Sequence, residues 1–272
     1  DMAGRYKANV QIIEKDWGEA FSLDEIEKAL IKYKPAVFAI VHAETSTGVC
    51  QPMEGIGDLC RQYGALLLLD TVTSLGGVPL CLDEWKIDLA YSCSQKGLSC
   101  PPGLGPFTIN ERAEKKLNQR KDKVPNWYLD VSLLNKYWGS DRVYHHTAPV
   151  NMNFGMREAL RLLAEEGLEN SWMRHQNNAK ELWKGLQSLG LELYVEEHLR
   201  LPTLTTVTIP SGVDGKAFTL HLLNNFGVEI GGGLGSLAGK VWRIGLMGYN
   251  SKIENVQKIL NLFDSELSKF SS

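Results

Sequence analysis

Asp70 and Lys96 are the residues whose type and placement point most directly to chemistry. Asp70 directly follows four consecutive leucines. Lys96 lies between a second apolar run and the rigid Pro101-Pro102-Gly103 turn. Short apolar runs of this kind read as buried parallel strands, and ligands in open parallel sheets bind outside the carboxyl ends of the strands. Two strand ends of one sheet would bring both groups to one cleft. A buried carboxylate stays ionised only beside a compensating cation. A partly desolvated amine loses its proton more readily and then attacks aldehydes. Pyridoxal phosphate suits both properties: the lysine forms an imine, and the aspartate keeps the ring nitrogen protonated so that the ring accepts electrons. Spacing alone leaves a plainer alternative open, in which Asp70 caps a turn and Lys96 is a solvated surface charge.

Other polar motifs admit simple structural roles. Arg243 lies in an apolar, alternating strand, a setting that suits a structural ion pair. His145-His146 suggests a metal, yet neighbouring side chains on an extended chain point apart, and no Cys or carboxylate stands at ligand spacing; no metal is expected. Gly233-Leu-Gly-Ser-Leu-Ala238 fits G-x-G-x-x-A in form. A strand rather than a helix follows it, so a flexible loop near the substrate entrance is expected instead of a dinucleotide site.

The elements that must position these groups alternate between strand and helix. Ser22-Leu-Asp-Glu25 is a capping box, and Pro35 predicts a helix end near Lys34. Residues 36–41, 65–69 and 87–93 read as strands, with a helix over 53–63 between the first two. This order predicts a parallel sheet flanked by helices. Residues 110–120 read as an exposed helix and 121–150 as a long ordered loop rich in aromatics. Helices over 153–163 and 171–189 follow. Strands are expected at 191–195, 203–209, 228–230 and 241–246, and helices over 216–225 and 252–269. The fold class is therefore α/β with a smaller C-terminal α+β unit, divided into residues 1–166 and 167–272.

The chain has 272 residues, a formal net charge of -3 and 43% hydrophobic residues, a balance that argues against disorder. Its basic residues form no long run, which disfavours nucleic acid, and no apolar stretch reaches membrane-span length. The five cysteines are odd in number and show no C-x-x-C, so neither a disulfide framework nor a structural zinc site is expected.

Several ordered segments together carry a resemblance. They are His42-Ala-Glu-Thr-Ser-Thr-Gly48, Leu69-Asp-Thr-Val-Thr-Ser-Leu-Gly76, Tyr91-Ser-Cys-Ser-Gln-Lys-Gly97, Tyr144-His-His-Thr147, Gly167-Leu-Glu-Asn-Ser-Trp172, Leu201-Pro-Thr-Leu-Thr-Thr-Val207, Gly232-Gly-Leu-Gly235 and Lys240-Val-Trp-Arg-Ile-Gly-Leu246. The chain closely resembles the class V branch of fold-type I pyridoxal-phosphate aminotransferases, and within it the alanine–glyoxylate (serine–pyruvate) group. The resemblance implies Lys96 as the Schiff-base lysine and proton shuttle, and Asp70 as partner of the pyridinium nitrogen. It implies Val72 against the ring, Thr45 on the ring oxygen and Gln95 near the phosphate. Tyr144 and Thr147 would reach the phosphate of a neighbouring subunit, which implies a homodimer with shared sites. Arg243 would grip the substrate carboxylate.

The implied activity is transfer of an amino group from alanine or serine to glyoxylate. A kynurenine or 3-hydroxykynurenine donor is the alternative, and a non-catalytic fragment acting as a dimerisation partner is the non-enzyme alternative. In the family, the phosphate-binding helix end and the ring that stacks on the cofactor lie ahead of the segment resembling residues 1–20, so the chain is expected to be truncated. Peroxisome or mitochondrion is the expected compartment, although the C-terminus is not of the S-K-L type.

Overall fold

The computed structural model describes residues 1–271. A short helix α1 (Met2–Arg5) and an extended segment lead to α2 (Leu23–Tyr33). The capping box is formed: Ser22 N–H donates to the Glu25 carboxylate at 2.8 Å, and Glu25 N–H donates to Ser22 Oγ at 3.3 Å. Lys34 takes a left-handed φ of 45° and ends the helix before Pro35. There follow β1 (Val37–Val41), a small hairpin of β2 (Ala43–Glu44) and β3 (Val49–Cys50), α3 (Ile56–Gln62) and β4 (Leu66–Asp70). Then come β5 (Leu89–Tyr91), β6 (Phe107–Ile109), α4 (Glu111–Asn118) and α5 (Val131–Trp138). The chain continues through α6 (Val150–Glu166), α7 (Leu168–Ser188), β7 (Leu204–Thr208), α8 (Gly215–Phe226), β8 (Gly231–Gly232), β9 (Val241–Gly245) and α9 (Ile253–Glu266).

The first sheet has the order β1-β4-β5-β6. Its first three strands are parallel and β6 runs antiparallel. The register aligns Val41, Asp70, Tyr91 and Phe107 across the carboxyl end of β4. Leu67, Leu69 and Ala90 form one core with Ile26 and Leu30 of α2 and Ile56 and Cys60 of α3. On the row of the opposite face, Val41, Tyr91 and Phe107 are each more than a third exposed. The buried Asp88 carboxylate pins α4 to this sheet, accepting from Arg112 Nη1 at 2.6 Å, Leu67 N–H at 2.8 Å and Asn110 Nδ2 at 2.9 Å.

The second sheet is antiparallel, β7-β9-β8, and packs on α7, α8 and α9. Its core centres on Phe218, Trp242 and Phe263, whose rings meet edge-on or tilted. Helix α7 joins the two sheets' surroundings. Ser171 Oγ donates to the Gly76 carbonyl at 2.7 Å, and Gly248 N–H donates to His175 Nε2 at 2.9 Å.

Three local expectations are corrected. Residues 121–150 are not all loop, because Asp130 caps α5 through the Ser132 N–H at 2.9 Å. Residues 191–195 form only an isolated bridge, Leu193 to Val207, between the turn at Gly190 and a 3-10 turn at Glu197–Leu199. The strand expected at 228–230 begins instead at Gly231, where the pairing with Arg243 starts and a Cβ would sit 3.4 Å from Arg243 Nη2.

Candidate active site

Asp70 ends β4 with both carboxylate oxygens held by neutral donors. Oδ1 accepts the Val72 N–H at 2.8 Å, and Oδ2 accepts the Tyr91 hydroxyl at 2.6 Å. Burial and the adjacent Asp70 carboxylate push the Tyr91 phenol above its ordinary value, so it remains a donor. Among the described residues, no Lys, Arg or His forms an ion pair with Asp70. A half-buried carboxylate without a cation is one that can receive a cationic ligand.

Lys96 lies beyond β5 in a tight loop. Ser99 N–H donates to the Lys96 carbonyl at 3.0 Å, and Ser94 Oγ donates to the Pro101 carbonyl at 2.7 Å. The lysine is half-buried, and its amine has no hydrogen bond or ion pair among the described residues. This loop packs backbone to backbone on the loop after Asp70, since a Cβ at Gly97 would collide with the Leu75 carbonyl. A Cβ at Gly248 would likewise collide with Ser99, whose Oγ accepts the Tyr249 N–H at 2.7 Å. Glycine is required at these points by the closeness of three chain segments.

Val72 and Thr45 are half-buried, and Gln95 is exposed with no hydrogen bond to its side chain among the described residues. Arg243 extends from β9 toward the β2–β3 turn. Its Nε donates to the Gly232 carbonyl at 2.7 Å and its Nη1 to the Thr45 carbonyl at 2.9 Å. Its Nη2 makes no hydrogen bond among the described residues. Tyr144 and Thr147 stand apart from this group. Their hydroxyls lie 2.9 Å from each other on an exposed segment, and neither bonds to Asp70, Lys96 or Arg243.

Two histidine arrangements bear on other chemistries. The rings of His145 and His146 converge, with their Nδ1 atoms 2.8 Å apart, where the backbone bends at His146. Trp127 stacks on His145 with ring centroids 4.1 Å apart, and no cluster of three or more potential ligands forms among the described residues. His42 and Cys50 also meet, with Sγ 3.7 Å from Nε2. Burial lowers the His42 imidazole to about 4 and raises the Cys50 thiol to about 11. Both are therefore neutral, the opposite of an activated thiolate–imidazolium pair.

Residues 1–259 match the pattern of the class-V aminotransferases over nearly the whole chain. The chain belongs to the class-V aminotransferase family. An alanine–glyoxylate aminotransferase of Mus musculus is 45% identical over 263 residues, covering 95% of this chain and 64% of the mouse protein. This class-V aminotransferase chain thus spans less than two thirds of that relative's length. The crystal structure of an alanine–glyoxylate aminotransferase from Nostoc sp. superposes with a TM-score of 0.95 at 62% identity, covering 97% of this chain and 70% of that one. A ureidoglycine–glyoxylate aminotransferase from Bacillus subtilis gives a TM-score of 0.96 at 41% identity, covering 99% of this chain and 70% of that one. The architecture is that of the fold-type I aminotransferases: a mostly parallel sheet with flanking helices and a smaller α+β unit.

Tyr91 sits within a sequence motif that assigns it no role. Its signal is the register of β4 and β5, which sets Tyr91 beside Asp70 and is not readable from either segment alone.

Proposed function

We propose that this chain forms part of a pyridoxal phosphate-dependent enzyme that transfers the amino group of alanine to glyoxylate, giving pyruvate and glycine. The observation that carries it is an Asp70 carboxylate without a cationic partner at the end of β4, and an unpaired Lys96 amine on the loop that stacks on the one following Asp70. That donor set fits a cofactor with a protonated ring nitrogen and an aldehyde. Both the mouse and the Bacillus relatives carry glyoxylate in their names, which supports it as one substrate; the amino donors in those names differ.

When bound, pyridoxal phosphate supplies an aldehyde that takes up amino groups and a ring that accepts electrons from the substrate α-carbon. Lys96 would hold the aldehyde carbon covalently. Its free amine would serve as the general base and acid that moves the proton of the substrate α-carbon. Asp70 would hold the ring N–H, Val72 would pack against the ring, and Thr45 and Gln95 would donate to the ring oxygen and the phosphate. Arg243 would grip the substrate carboxylate with the part of its planar fork that the Gly232 and Thr45 carbonyls leave free. Residues 1–166 would belong to the cofactor-binding unit and residues 167–272 to the small unit. Tyr144 and Thr147, exposed and paired with each other, would serve the phosphate of a second copy in a homodimer.

The test is a donor panel on the full-length protein with glyoxylate as acceptor. Alanine is expected to give stoichiometric glycine and pyruvate. Absence of that exchange, with cofactor retained, would overturn the assignment; transfer from ureidoglycine alone would move this chain to the other named activity.

A further inference from the structure

We infer that Tyr91 is a positioning residue that fixes the Asp70 carboxylate for the cofactor's ring nitrogen, an inference that rests on the role of Asp70 proposed above. Strands β4 and β5 are parallel and in register at this pair, so the two side chains leave the same face of the sheet. The hydroxyl donates to Oδ2 at 2.6 Å while the Val72 N–H donates to Oδ1 at 2.8 Å. An aspartate's terminal torsion is broad and weakly fixed by its own rotamer. One donor on each oxygen locks the carboxylate plane, and an ionised carboxylate still has lone pairs for a further N–H. The orientation is thus set before any ligand arrives, which is where preorganised electrostatics gains over a mobile charge.

Packing alone does not account for the hydroxyl. The ring shares its row with Val41 and Phe107, and a phenylalanine would serve an apolar row equally well. A phenol pushed above its ordinary value by burial and the neighbouring carboxylate keeps its proton, so the donor is present throughout the working range.

A double-mutant cycle on the full-length protein tests this, using Tyr91→Phe, Asp70→Ala and the pair, with the pyridoxal phosphate dissociation constant as readout. A hydrogen bond to a charged group corresponds to roughly a 10- to 100-fold effect, so Y91F is expected to bind cofactor at least about tenfold more weakly. D70A is expected to bind more weakly still, and the double variant no more weakly than D70A. Visible circular dichroism of the bound cofactor at saturation is expected to fall in Y91F. Wild-type affinity in Y91F, or a Y91F penalty undiminished in the D70A background, overturns the role of Tyr91 alone. Wild-type affinity in D70A overturns the role of Asp70 and that of Tyr91 with it. Should D70A fold poorly, the dichroism of Y91F decides: a reduced signal supports the role, and an unchanged one overturns it.

Discussion

Arg243 Nη1 donates to the backbone carbonyl of Thr45 at 2.9 Å, across 198 positions of sequence. The strand β9 of the small unit is thereby tied to the β2–β3 turn beside the end of β1. The same guanidinium bonds the Gly232 carbonyl, so its plane is set from two sides.

Arg243→Lys should therefore lose these two carbonyl bonds as well as the proposed substrate contact. An ammonium keeps the charge but cannot hold two fixed carbonyls and present a planar fork at once. KM for the amino donor is expected to rise by roughly 10- to 100-fold with a smaller change in kcat, the loss of charge-assisted hydrogen bonds. Steady-state kinetics with saturating cofactor measures it, and an unchanged KM would remove Arg243 from substrate binding.

Lys96→Ala should lower turnover by at least about 10²- to 10⁴-fold, the usual contribution of a positioned acid–base group. Borohydride reduction followed by peptide mass analysis should find cofactor on Lys96 in the wild type and none in the variant. Normal turnover in the variant would refute the assignment.

Gly97→Ala should destabilise the fold, since its Cβ would collide with the Leu75 carbonyl. Overpacking of this kind costs about 1–3 kcal/mol. Gly190→Ala is the comparison: it has a φ of +76° but open space around the new atom. It should cost less, about 1 kcal/mol from the left-handed backbone alone. Thermal melting of both variants measures the difference, and an equal loss would mean that the stacking of the two loops is not tight.

His42 should make stability fall in acid. Its imidazole has an ordinary value of 6.5 and is held at about 4 by burial. Between those values the unfolded chain binds a proton that the folded chain refuses, so stability rises with pH through this window and is lost as pH falls. The full effect is about 3 kcal/mol. Denaturant titrations from pH 6.5 down to 4 should show the slope, and His42→Leu should flatten it; an unaltered slope would place the acid sensitivity elsewhere.

Much of the fold was legible because its signals are local. The capping box at Ser22, the proline after Lys34 and the apolar runs ending at Asp70 and in the Tyr91–Lys96 segment each act within a few residues of themselves. Asp70, Lys96 and Arg243 stood out for the same reason, as charged groups against apolar strands. What the sequence concealed depends on register and on distant backbone. The β6 strand is antiparallel and only three residues long. Tyr91 meets Asp70 only after β4 and β5 align, and the convergence of His145 and His146 depends on a bend that neither residue encodes.

Helix α7 carries a consequence for motion. Four residues apart on it, Ser171 bonds the carbonyl of Gly76 and His175 receives the N–H of Gly248. Gly76 belongs to the loop that packs on the lysine loop, and Gly248 follows the strand that bears the arginine. The helix is therefore a common axle for both. A shift of α7 would strain both of these hydrogen bonds at once.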